Sequence, residues 1–310
     1  MYLIPEKELY TIIQQFYSGN YQDITNLNLD VDFDFSNVLY EIQANFYKIR
    51  SFIKLNDYTQ ASSLLQKLDS KIDSNINSNK IDTETANLIK TDIDVLNAFI
   101  QFKESNKVNK PLLDSIDTET PSLALIYKNI ILNEDSTLPD SPDLDLESYI
   151  YSLLKSLPDN SITILSNLKN HYSDALILDF AIAWLGLSQT TIDNNQINIK
   201  NSYYFFDELT SSANTDSIKN TISLLASYLK SINLPEANDC LQKIESFDTS
   251  LPSWDYSLLI NKVALASQSL DSQTRQSLVT ELSTKFPNSP YVTDLNEKSQ
   301  LFDSIIASYN

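Results

Sequence analysis

Residues 44–68 read ANFYKIRSFIKLNDYTQASSLLQKL, and residues 220–244 read NTISLLASYLKSINLPEANDCLQKI. In each, a bulky aromatic (Phe52 or Tyr228) stands nine positions before a small residue (Ala61 or Ala237), with a short break between them. After the break, apolar residues return at helical spacing: Leu64, Leu65 and Leu68 in one, Cys240, Leu241 and Ile244 in the other. The pattern predicts two helices folded back on each other. The aromatic of the first covers the small residue of the second, which lets the backbones approach closely. One such pair cannot bury its own apolar face, so a neighbour must stack against it.

This unit resembles the tetratricopeptide repeat, a helix pair of about 34 residues. The expected fold is all-α: a right-handed α-solenoid of tetratricopeptide-like helix hairpins, forming one domain over residues 1–310. Roughly eight or nine units fit that length. With 42% hydrophobic residues the chain is ordered rather than disordered. It holds 2 glycines, Gly19 and Gly186, too few for phosphate-cradling loops or a parallel α/β fold. Solenoids of this kind expose a curved surface that binds partners.

Charge narrows the partners. Against 22 basic residues stand 41 acidic ones, a formal net charge of −19. Nucleic-acid binding needs a basic footprint, and none is visible. An anionic membrane surface would repel the chain, so membrane association is expected only through a partner. The lone cysteine, Cys240, excludes internal disulfides and cysteine-based zinc sites, and its helical spacing reads as core packing. The N-terminus MYLIPEKELY lacks the features of a secretory signal. The most apolar stretch, 176–187, is too short to span a bilayer and contains Asp179. A cytosolic protein is expected.

Along the chain, helices are expected at 6–18, from Tyr21 onward, at 84–104, 146–156, 159–171, 173–188, 201–213, 253–268, 272–286 and 291–308, besides the two hairpins. Thr120 and Pro121 suit a helix start, as do Ser289 and Pro290. Residues 74–85 read as a loop or frayed end. Residues 133–145, with two prolines and five acids, read as a loop. Residues 190–200 break the pattern, either as coil or as a small β-hairpin.

Four passages resemble the epsilon-COP family, the coatomer epsilon subunit. They are ELYTIIQQFYSGNYQDITN at 8–26, NSYYFFDEL at 201–209, the helix pair at 220–247, and KFPNSPYVTDLNEKSQLFDSIIASY at 285–309. The middle, 70–170, matches only in being helical. The resemblance implies a non-catalytic subunit of the COPI vesicle coat that binds and stabilises the C-terminal domain of alpha-COP. It implies a role in Golgi-to-endoplasmic-reticulum retrieval and intra-Golgi transport, on the cytoplasmic side of Golgi membranes and vesicles. It implies no cofactor.

Carrying over the concave face of tetratricopeptide arrays, the expected partner contacts are Phe16, Tyr17, Phe46, Arg50, Lys54, Lys219, Ile222 and Lys230. Arg50 and Lys54 resemble part of a co-chaperone carboxylate clamp, but its full set of basic and asparagine positions is missing. A different adaptor, such as a co-chaperone or trafficking scaffold, is the alternative. An all-helical enzyme is a third reading. DVDFDFSNVLYE at 30–41 mimics a twelve-residue calcium loop, with alternating aspartates and Glu41 in the bidentate place. Phe35 occupies the place where the turn needs glycine, so an interhelical turn with Ser36 as cap is preferred. His171 lacks neighbouring catalytic or metal-ligating residues. Glu147, Asp143 and Asp145 read as solvated acids, and Trp184 and Trp254 as core.

Overall fold

The structure, a computed structural model, describes residues 7–116, 122–132, 146–156, 160–188, 195–212, 215–247 and 254–309. Every element among them is a helix, and the all-α expectation holds. By its contacts the chain divides into two compact units, Met1–Ser217 and Ile218–Asn310. Each is described by itself.

The first unit opens with α1 (Lys7–Ser18) and α2 (Tyr21–Asn26), joined through Gly19. Gly19 lies at φ 89°, which a residue with a Cβ would adopt only at a cost. Next come α3 (Val38–Lys54) and α4 (Tyr58–Asn77), the first recognised hairpin. They are followed by α5 (Thr83–Ser105), the single-turn α6 (Lys110–Asp114) and α7 (Ser122–Leu132). The unit continues through α8 (Leu146–Ser156), α9 (Ser161–His171), α10 (Leu176–Ser188) and α11 (Asn195–Ser211).

Helices in this unit pack against their sequence neighbours, and also one element further on: α1 with α3, α5 with α7, α8 with α10. That progression is the stacking a solenoid requires. One core runs from α3 to α7 through Ile49, Leu65, Ile72, Leu96 and Leu113. A second joins α8, α9 and α10 through Leu153, Leu165 and Leu178, with Tyr17 of α1 packed on it. Burial of each such leucine or isoleucine contributes about 1.5–3 kcal/mol. Since α1 also touches α10, the unit closes on itself across more than 150 residues of sequence. Ser217 completes that closure by donating its hydroxyl to the carbonyl of Ser18 at 2.5 Å.

The second unit comprises α12 (Ile218–Lys230), α13 (Leu234–Ser246), α14 (Asp255–Gln268), α15 (Ser272–Lys285) and α16 (Pro290–Tyr309). It stacks the same way, α12 against both α13 and α14, and α14 against α15. Ala61 and Ala237, the small residues of the two hairpins, are completely buried, as close helix approach requires. Cys240 is buried and reduced within α13. Pro235 lies in the first turn of that helix, where its missing N–H costs nothing.

Three expectations need correcting. Helix α4 continues to Asn77 rather than fraying from residue 74, because Ile72 and Asn75 are buried on its inner face. Helix α11 begins at Asn195, so 195–200 is neither coil nor hairpin; once a helix is nucleated and packed, each added residue needs only one more backbone bond. Asn37, not Ser36, caps α3, its side-chain oxygen accepting the Leu39 N–H at 2.9 Å. Helix α6 was not foreseen. The expected features at Thr120–Pro121, 133–145 and 190–194 lie outside the described residues.

Candidate partner-binding surface

Arg50 is the most constrained charge in the first unit. It lies on α3 among Phe46, Ile49 and Ile53 and is buried with them. Its guanidinium forms a two-pronged ion pair with Glu147 in the first turn of α8; the Nη1 prong measures 3.2 Å. It also sits over the Phe16 ring at 4.5 Å and near the Tyr47 ring at 5.4 Å. Burial works against the Arg50 charge, but Glu147 and Tyr127 beside it more than offset that, and its pKa is raised. Such bidentate pairing is geometrically specific, so it fixes α8 against α3. Glu147 is therefore not the solvated acid the sequence suggested.

Around this pair the aromatics form a cage. Phe16 lies edge-on to Tyr17, Tyr21 and Tyr47 at 5.1–5.6 Å between ring centres. Tyr17 reaches Phe180 of α10 at 6.3 Å. It keeps some accessible surface, yet its phenol is enclosed: burial first, then Glu147 and Tyr47, raise its pKa well above the ordinary value. Burial likewise pushes Tyr21 up to about 12.

Lys54, one helical turn beyond Arg50, differs in kind. It keeps solvent access, but the surrounding protein desolvates its ammonium. That burial, followed by the nearby charges of Arg50 and Lys103, lowers its pKa. Lys103, in the last turn of α5, lies over the Phe99 ring at 5.4 Å.

The eight expected contact residues thus divide. Phe16, Phe46, Arg50 and Ile222 are buried inside their units. Tyr17 and Lys219 are half-buried, and Lys54 and Lys230 are exposed. In the first unit the structure gathers Phe16, Tyr17, Arg50 and Lys54 around Glu147. Sequence reasoning missed Glu147 and Lys103. One signal pointed to the first: an arginine on an apolar helix face needs a buried anion.

The calcium-like loop has other uses for its acids. Asp32 accepts the Asn28 N–H at 2.7 Å, Asp30 approaches Lys71 at 3.6 Å, and Glu41 pairs with the same lysine. No group of three His, Cys, Asp or Glu able to hold a metal occurs among the described residues. His171 is exposed at the end of α9. A polar recess lined by Asp94, Asn97, Gln101 and Asn109, and another lined by Asp179, Ser202 and Phe205, both lie away from it. Trp184 is only half-buried, leaning on Phe180 at 5.3 Å, and Trp254 is half-buried as well.

Residues 147–310, more than half of the chain, match the family model described as Coatomer epsilon subunit. The chain belongs to the coatomer epsilon family. It is accordingly a subunit of the COPI vesicle coat, and its helix pairs are those of that family's tetratricopeptide-like fold. The match takes in three of the four passages that carried the resemblance, and the passage at 8–26 lies outside it. It opens on Glu147, the carboxylate that holds Arg50. No curated protein matches the chain. Among the described residues no helix is long and apolar enough to cross a membrane.

Proposed function

We propose that this coat subunit binds and stabilises the C-terminal domain of alpha-COP and performs no chemistry of its own. In this reading it acts as one tetratricopeptide-like domain in Golgi-to-endoplasmic-reticulum and intra-Golgi transport. It sits on the cytoplasmic side of Golgi membranes and COPI vesicles, reaching the membrane only through the coat. The observation that carries the proposal is the epsilon-subunit match over 147–310. Stacked helix pairs within each unit support it, because such stacks in general offer an extended surface to a partner polypeptide.

Within the proposed contact set, Tyr17, Lys54, Lys219 and Lys230 retain surface for a partner. Phe16, Phe46 and Arg50 are buried within the first unit and Ile222 within the second. The co-chaperone alternative is weakened because Arg50, half of the basic pair it would use, is committed to Glu147. Size-exclusion chromatography with light scattering of the chain and a C-terminal alpha-COP fragment tests the proposal. A one-to-one complex is expected, and separate elution overturns it. A pull-down that recovers chaperones instead of coatomer subunits would favour the alternative.

A further inference from the structure

We infer that the last turns of α16 dock an amphipathic helix of a partner polypeptide, one whose apolar seam is flanked by lysine or arginine. The inference rests on the partner-binding reading and names the face and the chemistry of what covers it.

Helix α16 is held at one end only. Tyr291 and Val292, in its first turn, pack with Leu259 of α14 and Leu282 of α15. After Leu295 every side chain through Ser308 is exposed, so the helix projects from its unit. Leu301, Phe302, Ile305 and Ile306 recur there at the spacing that gathers side chains on one side of a helix, and each is 45–63% exposed. Asn296, Gln300 and Ser304 take the opposite side. Elsewhere among the described residues, exposed large apolar side chains such as Val31, Val108 and Leu270 stand singly, which is ordinary for a surface. Most helical stability in proteins comes from packing an apolar face, and beyond Leu295 this helix buries none of its own. Four such side chains leave on the order of 400 Å² of contiguous apolar surface, the size of patch that marks an interaction site.

Charge selects the occupant. Lys298 is the one cation of the helix, and Asp294 holds it at 2.7 Å. Glu297 lies one turn before Leu301 along one edge of the seam, and Asp303 one turn before Ile306 along the other. Acids on both edges match basic flanks, in the way that paired helices choose their partners. A second copy would bring the same acids and a net charge of −19 against −19. Two such faces alone would also bury roughly 800 Å² in all, short of the roughly 1,000 Å² that a stable interface needs. An anionic membrane surface is repelled for the same reason as a second copy. A partner that grips the chain elsewhere as well does not depend on this face alone. Helix α16 lies within the stretch that matches the coatomer epsilon family, so the seam belongs to the part of the chain that reads as a coat subunit.

Hydrogen–deuterium exchange of the full chain, read over residues 296–309, tests this directly. Fast exchange is expected in the chain alone; strong protection there would mean that the chain covers the seam itself, which overturns the inference. The C-terminal alpha-COP fragment is expected to protect the segment. The double variant Leu301→Ser/Ile305→Ser alters two exposed side chains, so it is expected to lower that affinity about ten-fold without moving the chain's melting temperature. A complex of unchanged affinity, with the segment still exchanging fast, overturns the inference and leaves the coat reading standing. The second probe is a synthetic helix with leucines along one seam and lysines flanking them, set against its glutamate-flanked counterpart. If the unaltered chain forms no alpha-COP complex, protection by the lysine-flanked peptide alone sinks the coat reading and upholds the inference. Equal action by both peptides, or by neither, overturns it. Protection that grows with the chain's own concentration, or that phosphatidylserine vesicles confer, names a different occupant and overturns it too.

Discussion

The turn from α3 to α4 and the turn from α12 to α13 carry the same three backbone bonds. Leu55, Asn56 and Asp57 donate to Ser51, Ile53 and Phe52 at 2.9–3.1 Å; Ser231, Ile232 and Asn233 donate to Ser227, Leu229 and Tyr228 over the same range. Both turns pass through a left-handed residue, Asn56 at φ 60° and Ile232 at φ 58°. Asparagine tolerates that conformation, whereas a β-branched isoleucine is strained in it. Ile232 is also 73% exposed, so its side chain earns nothing back by burial. Identical backbone geometry from unlike residues shows what sets the turn. The backbone bonding that closes the helix C-terminus imposes it, and the turn residue only raises or lowers its cost. A third copy, at Leu270 (φ 58°, 87% exposed), has Ala266 and Arg275 in the places of the aromatic and the alanine, so the turn forms without that pair.

The widest difference between the hairpins is predicted at Arg50. In register, the second hairpin has Ala226 there, with no charge to satisfy. Glu147→Ala leaves the buried guanidinium unpaired and is expected to destabilise the first unit by about 3–5 kcal/mol. The double variant Arg50→Met/Glu147→Leu is expected to recover most of that, because paired apolar replacement removes both desolvation penalties. Urea unfolding of the single and double variants measures both. Equal instability of the two would mean that Arg50 acts through its packing on Phe16 and not through its charge.

Where the hairpins agree, the cost should agree. Ala61→Leu and Ala237→Leu each force a larger side chain into a fully buried contact, and about 1–3 kcal/mol is expected at each. A variant that melts like the unaltered chain at either position would break the shared packing argument.

The turn itself should respond with opposite signs. Ile232→Asn is expected to stabilise by about 1–2 kcal/mol, and Asn56→Ile to destabilise by a similar amount. Thermal unfolding of the two variants decides it. If Ile232→Asn proves neutral, the strain is relieved elsewhere and the two turns are equivalent after all.

How much of this was readable beforehand follows the range of the interactions. The helix pairs came from apolar spacing and from the Phe52–Ala61 and Tyr228–Ala237 intervals, all local. The Arg50–Glu147 pair spans 97 residues and α1 meets α10 across a longer gap, and periodicity carries no information at that distance. Asp92 illustrates the same limit: buried in α5, it accepts the Ala124 N–H of α7 at 3.0 Å and so anchors another helix's first turn. In sequence it is one more acid on a helix. The binding face was half legible for a related reason. Helical spacing put Phe46, Arg50 and Lys54 on one side of α3, but only the neighbouring helices determine which of them remains accessible.

A smaller contrast lies in the caps. Asp57 accepts the Gln60 N–H at 3.1 Å, whereas Asn233 makes no side-chain cap and its helix relies on Pro235. Asp57→Ala should cost about 1 kcal/mol, and Asn233→Ala no more than a few tenths. Hydrogen exchange in the first turns of α4 and α13 resolves the two.

The third copy of the turn adds a dependence on acid. Asp271 begins α15 and accepts the Thr274 N–H at 3.0 Å; its side-chain and backbone bonds to Thr274 hold its carboxyl below the ordinary 3.8. A depressed native pKa means the folded state binds its proton less readily than the unfolded chain does. The contribution is therefore whole above the ordinary carboxylate pKa and fades as pH falls through the lowered one. Asp82, bonded to Thr85 at the start of α5, behaves in the same direction. Exchange protection at the start of α15 should thus weaken on acidification below the ordinary carboxylate range, and in Asp271→Asn it should lose that dependence. Asn233, already an amide at the matching position of α13, supplies the internal control. If α13 and α15 fray together as the acid rises, the carboxylate is not what holds the α15 turn.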